Sequence, residues 1–271
     1  MGRLRETDVT QYRDLGYVVP NLTLENVSLK RIERRLSKFL SDNSELSPRY
    51  VGGLLEMDAS WISIARQPQI INVVEQRIGP DFLLWEVALF TKETQMSDAT
   101  PWQQDGEFWP IRPLAACTVW IALDACTSES GCLRIVPESH RTRESFPIVL
   151  GSSEELGEYR AIRDQSEAEA NGQDVVLRRA QFCVYDVYTV HGRRPNLSAA
   201  PSRAMAMRFM PTTSHFDYDL AAIHAGQLGA EDRIGRQLHL MRGEDISKRN
   251  NFNVGRVSDL VSVNVGSTRS H

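Results

Sequence analysis

The chain has 271 residues, of which 41% are hydrophobic and 24% charged, with a formal net charge of −4 and a pI near 5.9. This slightly acidic balance provides no field to recruit nucleic acid or an anionic membrane surface, and no apolar run approaches the roughly 18 residues that span a bilayer. The length suits one large domain, 1–271, a size that β-rich and barrel folds reach without splitting. No charged-then-apolar leader opens the chain, and Cys117, Cys126, Cys132 and Cys183 show no CxxC spacing. The expectation is a cytoplasmic protein with reduced cysteines, a monomer or homodimer.

Thr7 and Asp8 can cap a short helix whose Tyr12 and Leu15 face inward and which Gly16 ends, ahead of the β-type run Tyr17-Val18-Val19. From Leu24 to Leu40 the apolar residues Val27, Leu29, Ile32, Leu36, Phe39 and Leu40 recur at three- and four-residue steps among Lys and Arg, the pattern of an amphipathic helix. A further helix is expected over Gln67 to Ile78, stopped by Gly79-Pro80. Beyond about residue 80 the texture changes to short β runs: Phe82 to Phe90, Cys117 to Leu123, Leu133 to Val136, Phe182 to Tyr185 and Ala204 to Phe209. These predict a β-sandwich or barrel, about 81–271, packed against N-terminal helices, about 1–80. Gly151 to Gly172 is Glu-rich and carries no clear strand pattern, so it reads as an insertion, either a solvated loop or a lid.

Within Pro101-Trp102-Gln103-Gln104-Asp105-Gly106-Glu107-Phe108-Trp109-Pro110 the chain nearly spells a metal site. On an extended strand, residues two apart share a face, so Gln103 and Asp105 point the same way. Joined by the distant His191, a histidine at the first position would complete a 2-His-1-carboxylate triad, which holds Fe(II) and leaves positions open. Here that first position is Gln103, a neutral and weaker donor. His215, His224 and His239 have no partner at metal-ligand spacing.

Gln103 to Asp105, Trp120-Ile121-Ala122-Leu123-Asp124, Gly131-Cys132-Leu133-Arg134-Ile135-Val136-Pro137-Glu138-Ser139-His140 and His191-Gly192 up to Asn196 together resemble the phytanoyl-CoA dioxygenase family. The resemblance runs from about Val9 to beyond Gly243. It implies a double-stranded β-helix (jelly roll, cupin-like), mainly β with flanking helices. It also implies Fe(II) with 2-oxoglutarate and O2 as co-substrates, and oxidation of a small metabolite or natural-product intermediate.

The family's iron motif, His-x-Asp and a distal His, is met by Asp105 and His191, with Gln103 at the first His. Family members place an arginine for the far carboxylate of 2-oxoglutarate eleven or twelve residues beyond the distal His. Position 202 is Ser202, so Arg203 is the expected clamp, with Arg208 a lesser candidate. Lys92 is expected to reach the co-substrate, and Phe108, Trp109 and Arg193 to contact the substrate.

Three explanations of Gln103 stay open: an engineered His-to-Gln change, a natural site that works with glutamine, or a member that has abandoned oxygen chemistry. The last would be a non-oxidative isomerase or a ligand-binding protein.

Overall fold

The computed structural model describes residues 2–42, 49–94, 97–106, 109–153, 157–228 and 235–252. Helix α1 (Glu6–Leu15) starts one residue before the expected cap: the Arg5 backbone N–H donates to Asp8 Oδ2 at 2.9 Å, the reciprocal half of a capping box. Gly16 ends α1 at φ 83°, where its N–H meets the Tyr12 carbonyl and where a Cβ would lie 2.6 Å from His140 Nδ1. His140 in turn contacts the Arg13 carbonyl through Nε2 at 3.0 Å, so this histidine ties down the end of α1.

Strand β1 (Tyr17–Val18) leads to α2 (Asn26–Asp42), which buries Leu29, Ile32 and Leu36, the apolar stripe read from its periodicity. A short strand β2 (Tyr50–Val51) and two single-turn helices, α3 (Leu54–Met57) and α4 (Ile62–Ala65), precede α5 (Pro68–Ile78). Pro68 occupies the first turn of α5, where its missing N–H does no harm.

The barrel strands are β3 (Phe82–Lys92), β4 (Thr100–Gln103), β5 (Ile111–Arg112), β6 (Cys117–Ala122), β7 (Leu133–Ile135), β8 (Ile148–Ser153) and β9 (Gly157–Ile162). After α6 (Ser166–Asn171) come β10 (Gln173–Val175), β11 (Phe182–Asp186), β12 (His191–Arg193), β13 (Ser202–Pro211) and β14 (His215–Phe216). Helix α7 (Tyr218–Leu228) and β15 (His239–Arg242) follow.

The larger sheet runs β1-β11-β6-β13-β3-β15 and the smaller β10-β7-β12-β4, every described pair antiparallel. Side chains of the larger sheet alternate between its two faces, with register shifts at Arg208/Phe209 and Leu240/Arg242. Val87, Leu89, Val119, Ile121, Met205 and Met207 pack against the helical residues Leu29, Ile32, Trp61 and Ile70. Trp120, Ala122, Ala204 and Ala206 turn the other way and meet Leu133 and Ile135 of the smaller sheet. This is the double-stranded β-helix with helices on one outer face. Among the described residues, no helix is long and apolar enough to cross a membrane.

The segment from Gly151 to Gly172 departs from expectation. It holds most of a β8–β9 hairpin and all of α6 rather than strandless sequence. A hairpin lying on a surface buries little of itself, here Ala161 and Ile162, so its apolar alternation is too faint to mark it as β. Ile162 and Ala168 pack on Trp102, whose indole N–H donates to Glu169 at 3.0 Å. The inner end of the insertion therefore braces the back of β4.

Candidate active site

Strand β12 lies between β7 and β4, with His191 opposite Ile135 on one side and Gln103 on the other. Directly paired residues on antiparallel strands share a face, and Ile135 faces the interior, so His191 and Gln103 do too. Gly192 allows this approach, since a Cβ there would lie 2.9 Å from the Thr100 carbonyl. Two residues beyond Gln103, Asp105 is buried and its Oδ1 lies 3.9 Å from His191 Nε2. Gln104, between them, turns away and donates from Nε2 to the Tyr188 carbonyl at 2.7 Å.

His191 Nδ1 lies 2.9 Å from the Thr189 carbonyl, which can only accept, so Nδ1 carries the proton. In the neutral ring the Nε2 lone pair is thereby aimed at Asp105. Fixing one ring nitrogen on a carbonyl is how metal-binding histidines are held. Asp105 Oδ2 accepts from the Thr118 hydroxyl at 3.4 Å. The donor set fits a first-row metal at two positions, imidazole and carboxylate, and offers an amide oxygen at the third. Among the described residues, no group of three or more His, Cys, Asp or Glu gathers at one point.

Beside Asp105 stands a buried chain of charge. Arg208 Nη2 is 3.6 Å from Asp105 Oδ1, and its Nη1 pairs with the fully buried Glu86. Glu86 also meets Arg236 at 3.3 Å, and Arg236 meets Glu56 at 3.2 Å. Burial opposes the charge of Arg208, yet Glu86 and then Asp105 hold it firmly protonated. Burial, followed by the charge of Asp105, raises the neighbouring Tyr185 hydroxyl well above its ordinary range. The Arg208 guanidinium lies 5.0 Å from the ring centre of Trp109, which itself packs edge-on against Trp85 at 4.8 Å.

The other anticipated residues are placed as follows. Arg203 was the expected clamp. It lies on the helix-side face of β13 with Met205 and Met207, and its guanidinium is held by Asp124 through bonds of 2.8 Å from both Nε and Nη2. A strand residue cannot serve both faces, so Arg203 is turned away from His191. Lys92 is buried opposite Ser202 and donates to the Asp98 carbonyl. Arg193 is buried, with its Nε on the Gly131 carbonyl at 3.1 Å and its guanidinium 5.4 Å from the Trp120 ring centre. Burial lowers its pKa to about 10, against smaller opposing effects of Cys126 and Cys132. Trp109 is fully buried. Phe108 lies outside the described residues.

Glu86, Arg236 and Thr118 were not anticipated. A usable signal existed for Glu86: it is the single carboxylate within the apolar run Phe82 to Phe90, and its register partner Arg208 is a lone cation in Ala204 to Phe209. Lone opposite charges in two central strands imply a buried pair.

A family model described as phytanoyl-CoA dioxygenase matches residues 12–205. An L-proline trans-4-hydroxylase from Streptomyces griseoviridis is 23% identical over 148 residues, which make up 50% of this chain and 55% of that protein. The match thus spans about half of that relative's length. The apo structure of the non-heme monooxygenase ThoJ aligns with a TM-score of 0.71 at 20% identity, covering 94% of this chain and 93% of that one. The epimerase SnoN, in complex with Fe3+, alpha ketoglutarate and nogalamycin RO, aligns with a TM-score of 0.64 at 23% identity, over 78% of this chain and 85% of that one. At these identities the structural likeness establishes the fold, while the family match covers most of the sequence. The chain belongs to the phytanoyl-CoA dioxygenase family.

Proposed function

We propose that this chain is an Fe(II)- and 2-oxoglutarate-dependent oxygenase that uses O2 to hydroxylate, or otherwise oxidise, a small metabolite or natural-product intermediate. The observation that carries this is the pair His191 and Asp105. An imidazole lone pair fixed by Thr189 faces a carboxylate oxygen 3.9 Å away, with Gln103 on the same interior face. Asp105 and His191 would hold the iron, and Gln103 would offer its amide oxygen as the weakest of the three donors. Bound iron supplies oxygen activation coupled to decarboxylation of 2-oxoglutarate to succinate.

The residues of the chain do the rest. Thr189 sets the tautomer of His191, and Thr118 and Arg208 orient Asp105 from two sides. Trp109 and Trp85 pack beside Arg208, and Phe108 and Trp109 are proposed to contact the substrate. The known ligands of the relatives, L-proline for the hydroxylase and nogalamycin RO for the epimerase, support a small-molecule substrate. Four free, buried cysteines support a cytoplasmic setting. Succinate formation from 2-oxoglutarate, dependent on Fe(II) and O2, tests the proposal.

One observation favours a second function, a non-oxidative isomerase or a ligand-binding protein. Asp105 already has a cation at 3.6 Å in Arg208, and Gln103 brings neither charge nor imidazole. Iron content after reconstitution, together with succinate yield, separates the two.

A further inference from the structure

Arg193 is the one arginine on β12 and β13 with no carboxylate partner among the described residues. Arg203 is committed to Asp124, and Arg208 to Glu86 and Asp105. Arg193 instead donates from Nε to the Gly131 carbonyl at 3.1 Å and from Nη2 to both the carbonyl and the hydroxyl of Ser202 at 3.4 Å. Its relative exposure is 6%. Arginine is rarely buried unless paired, because a desolvated charge without a counter-ion is costly. Nearby thiols, carbonyls and the Trp120 ring soften that cost without supplying a negative charge. An anionic ligand would supply it.

The position of Arg193 sets the kind of anion. Arg193 and His191 sit two residues apart on one strand and on one face, hence about 6.6 Å apart along it. Leu133, the register partner of Arg193, is an interior residue like Ile135, the partner of His191. A ligand that reaches from the His191–Asp105 pair to Arg193 therefore carries two anionic ends separated by a short carbon chain. Lys92 approaches the same spot from β3. It lies opposite Ser202, and a Cβ on Gly131, whose φ is +80°, would sit 2.7 Å from its Cδ. Gly131 is thus a bare wedge between two cations, its carbonyl on Arg193 and its Cα against the stem of Lys92. A guanidinium in a buried pocket suits a carboxylate.

Resting on the oxygenase function above, we propose that Arg193 of β12 holds the far carboxylate of 2-oxoglutarate, with Ser202 as its hydroxyl support on β13. The clamp thus comes from the strand that carries His191 rather than from Arg203 or Arg208.

The test is calorimetric titration under argon, with saturating Fe(II), of 2-oxoglutarate and of pyruvate, a keto acid that lacks the far carboxylate. The parent is expected to prefer 2-oxoglutarate. In Arg193→Gln the affinity for 2-oxoglutarate falls roughly tenfold or more, as expected for one lost charge-assisted pair, while pyruvate binding holds, so the preference disappears. The exchange Arg193→Ser with Ser202→Arg keeps one guanidinium in the same space and restores the preference. It also decides the matter should Arg193→Gln fail to fold. Undiminished preference in Arg193→Gln, or its loss in Arg208→Gln alone, overturns the assignment of Arg193. A parent that binds neither keto acid overturns the co-substrate function itself, and the clamp with it.

Discussion

His191 and Gln103 stand directly opposite each other across β12 and β4, both on the face that looks into the barrel. Opposed side chains on antiparallel strands have Cβ atoms about 4.5–5.5 Å apart, so a metal taken by His191 is within reach of the residue at 103. Replacing that amide with an imidazole changes one donor and little else. Gln103→His should raise Fe(II) affinity on the order of tenfold or more, measured by anaerobic titration of both forms. Equal affinities would mean that the amide is already a competent ligand, or that position 103 does not contact the metal.

Glu86 is the hub of the buried charge chain, since it serves both Arg208 and Arg236. Removing one partner of a buried ion pair costs about 3–5 kcal/mol, so Glu86→Gln should be strongly destabilised in urea unfolding. It should also weaken metal binding, because Arg208 would be left with Asp105 as its remaining carboxylate. The double variant Glu86→Gln/Arg208→Met should be more stable than Glu86→Gln alone. If the single variant unfolds like the parent, the chain of charge contributes nothing.

Arg203 is held by Asp124 on the side of β13 away from His191. Arg203→Ala should destabilise the fold by about 1 kcal/mol, as for a partly exposed pair, and leave 2-oxoglutarate affinity unchanged. A drop in that affinity would return Arg203 to the site.

Helix α6 is anchored to the sheet through Glu169, whose carboxyl is held below its usual range, first by its bond to Arg134 and then by that to Trp102. A lowered folded pKa stabilises above the ordinary value of about 4.3 and stops doing so as pH falls through the lowered one. Hydrogen exchange in the peptide spanning Gln165 to Gln173, corrected for intrinsic rate, should therefore speed up in acid. Glu169→Gln should show the same loosening at neutral pH. Unchanged protection in both would show that apolar packing on Trp102 holds the helix alone.

Much of the fold was legible in the sequence because its elements have strong periods. The Leu29-Ile32-Leu36 stripe and the apolar strands Phe82 to Phe90 and Cys117 to Leu123 each match a buried face. The β8–β9 hairpin was not legible, since a two-stranded surface element buries too little to shape its composition. The site divides in the same way. The structure brings Asp105 within 3.9 Å of His191, a long-range approach that no local spacing encodes. Spacing to the nearest cation picked Arg203 without regard to which face of β13 that cation occupies. Ser202, Ala204 and Ala206 share the interior face, and Arg203 does not. Counting in steps of two from Ser202 would have passed over Arg203 and reached Arg208.

The oxygenase assignment rests on whether His191, Asp105 and Gln103 hold iron in the presence of 2-oxoglutarate. Chelation of the metal by the keto acid under argon gives a weak visible charge-transfer band, which reports the site without knowledge of the substrate. We expect the band in Gln103→His, accompanied by succinate formation once air is admitted, and a diminished or shifted band in the parent. If neither form gives the band or consumes 2-oxoglutarate, the barrel does not carry iron chemistry, and the isomerase or ligand-binding function replaces it.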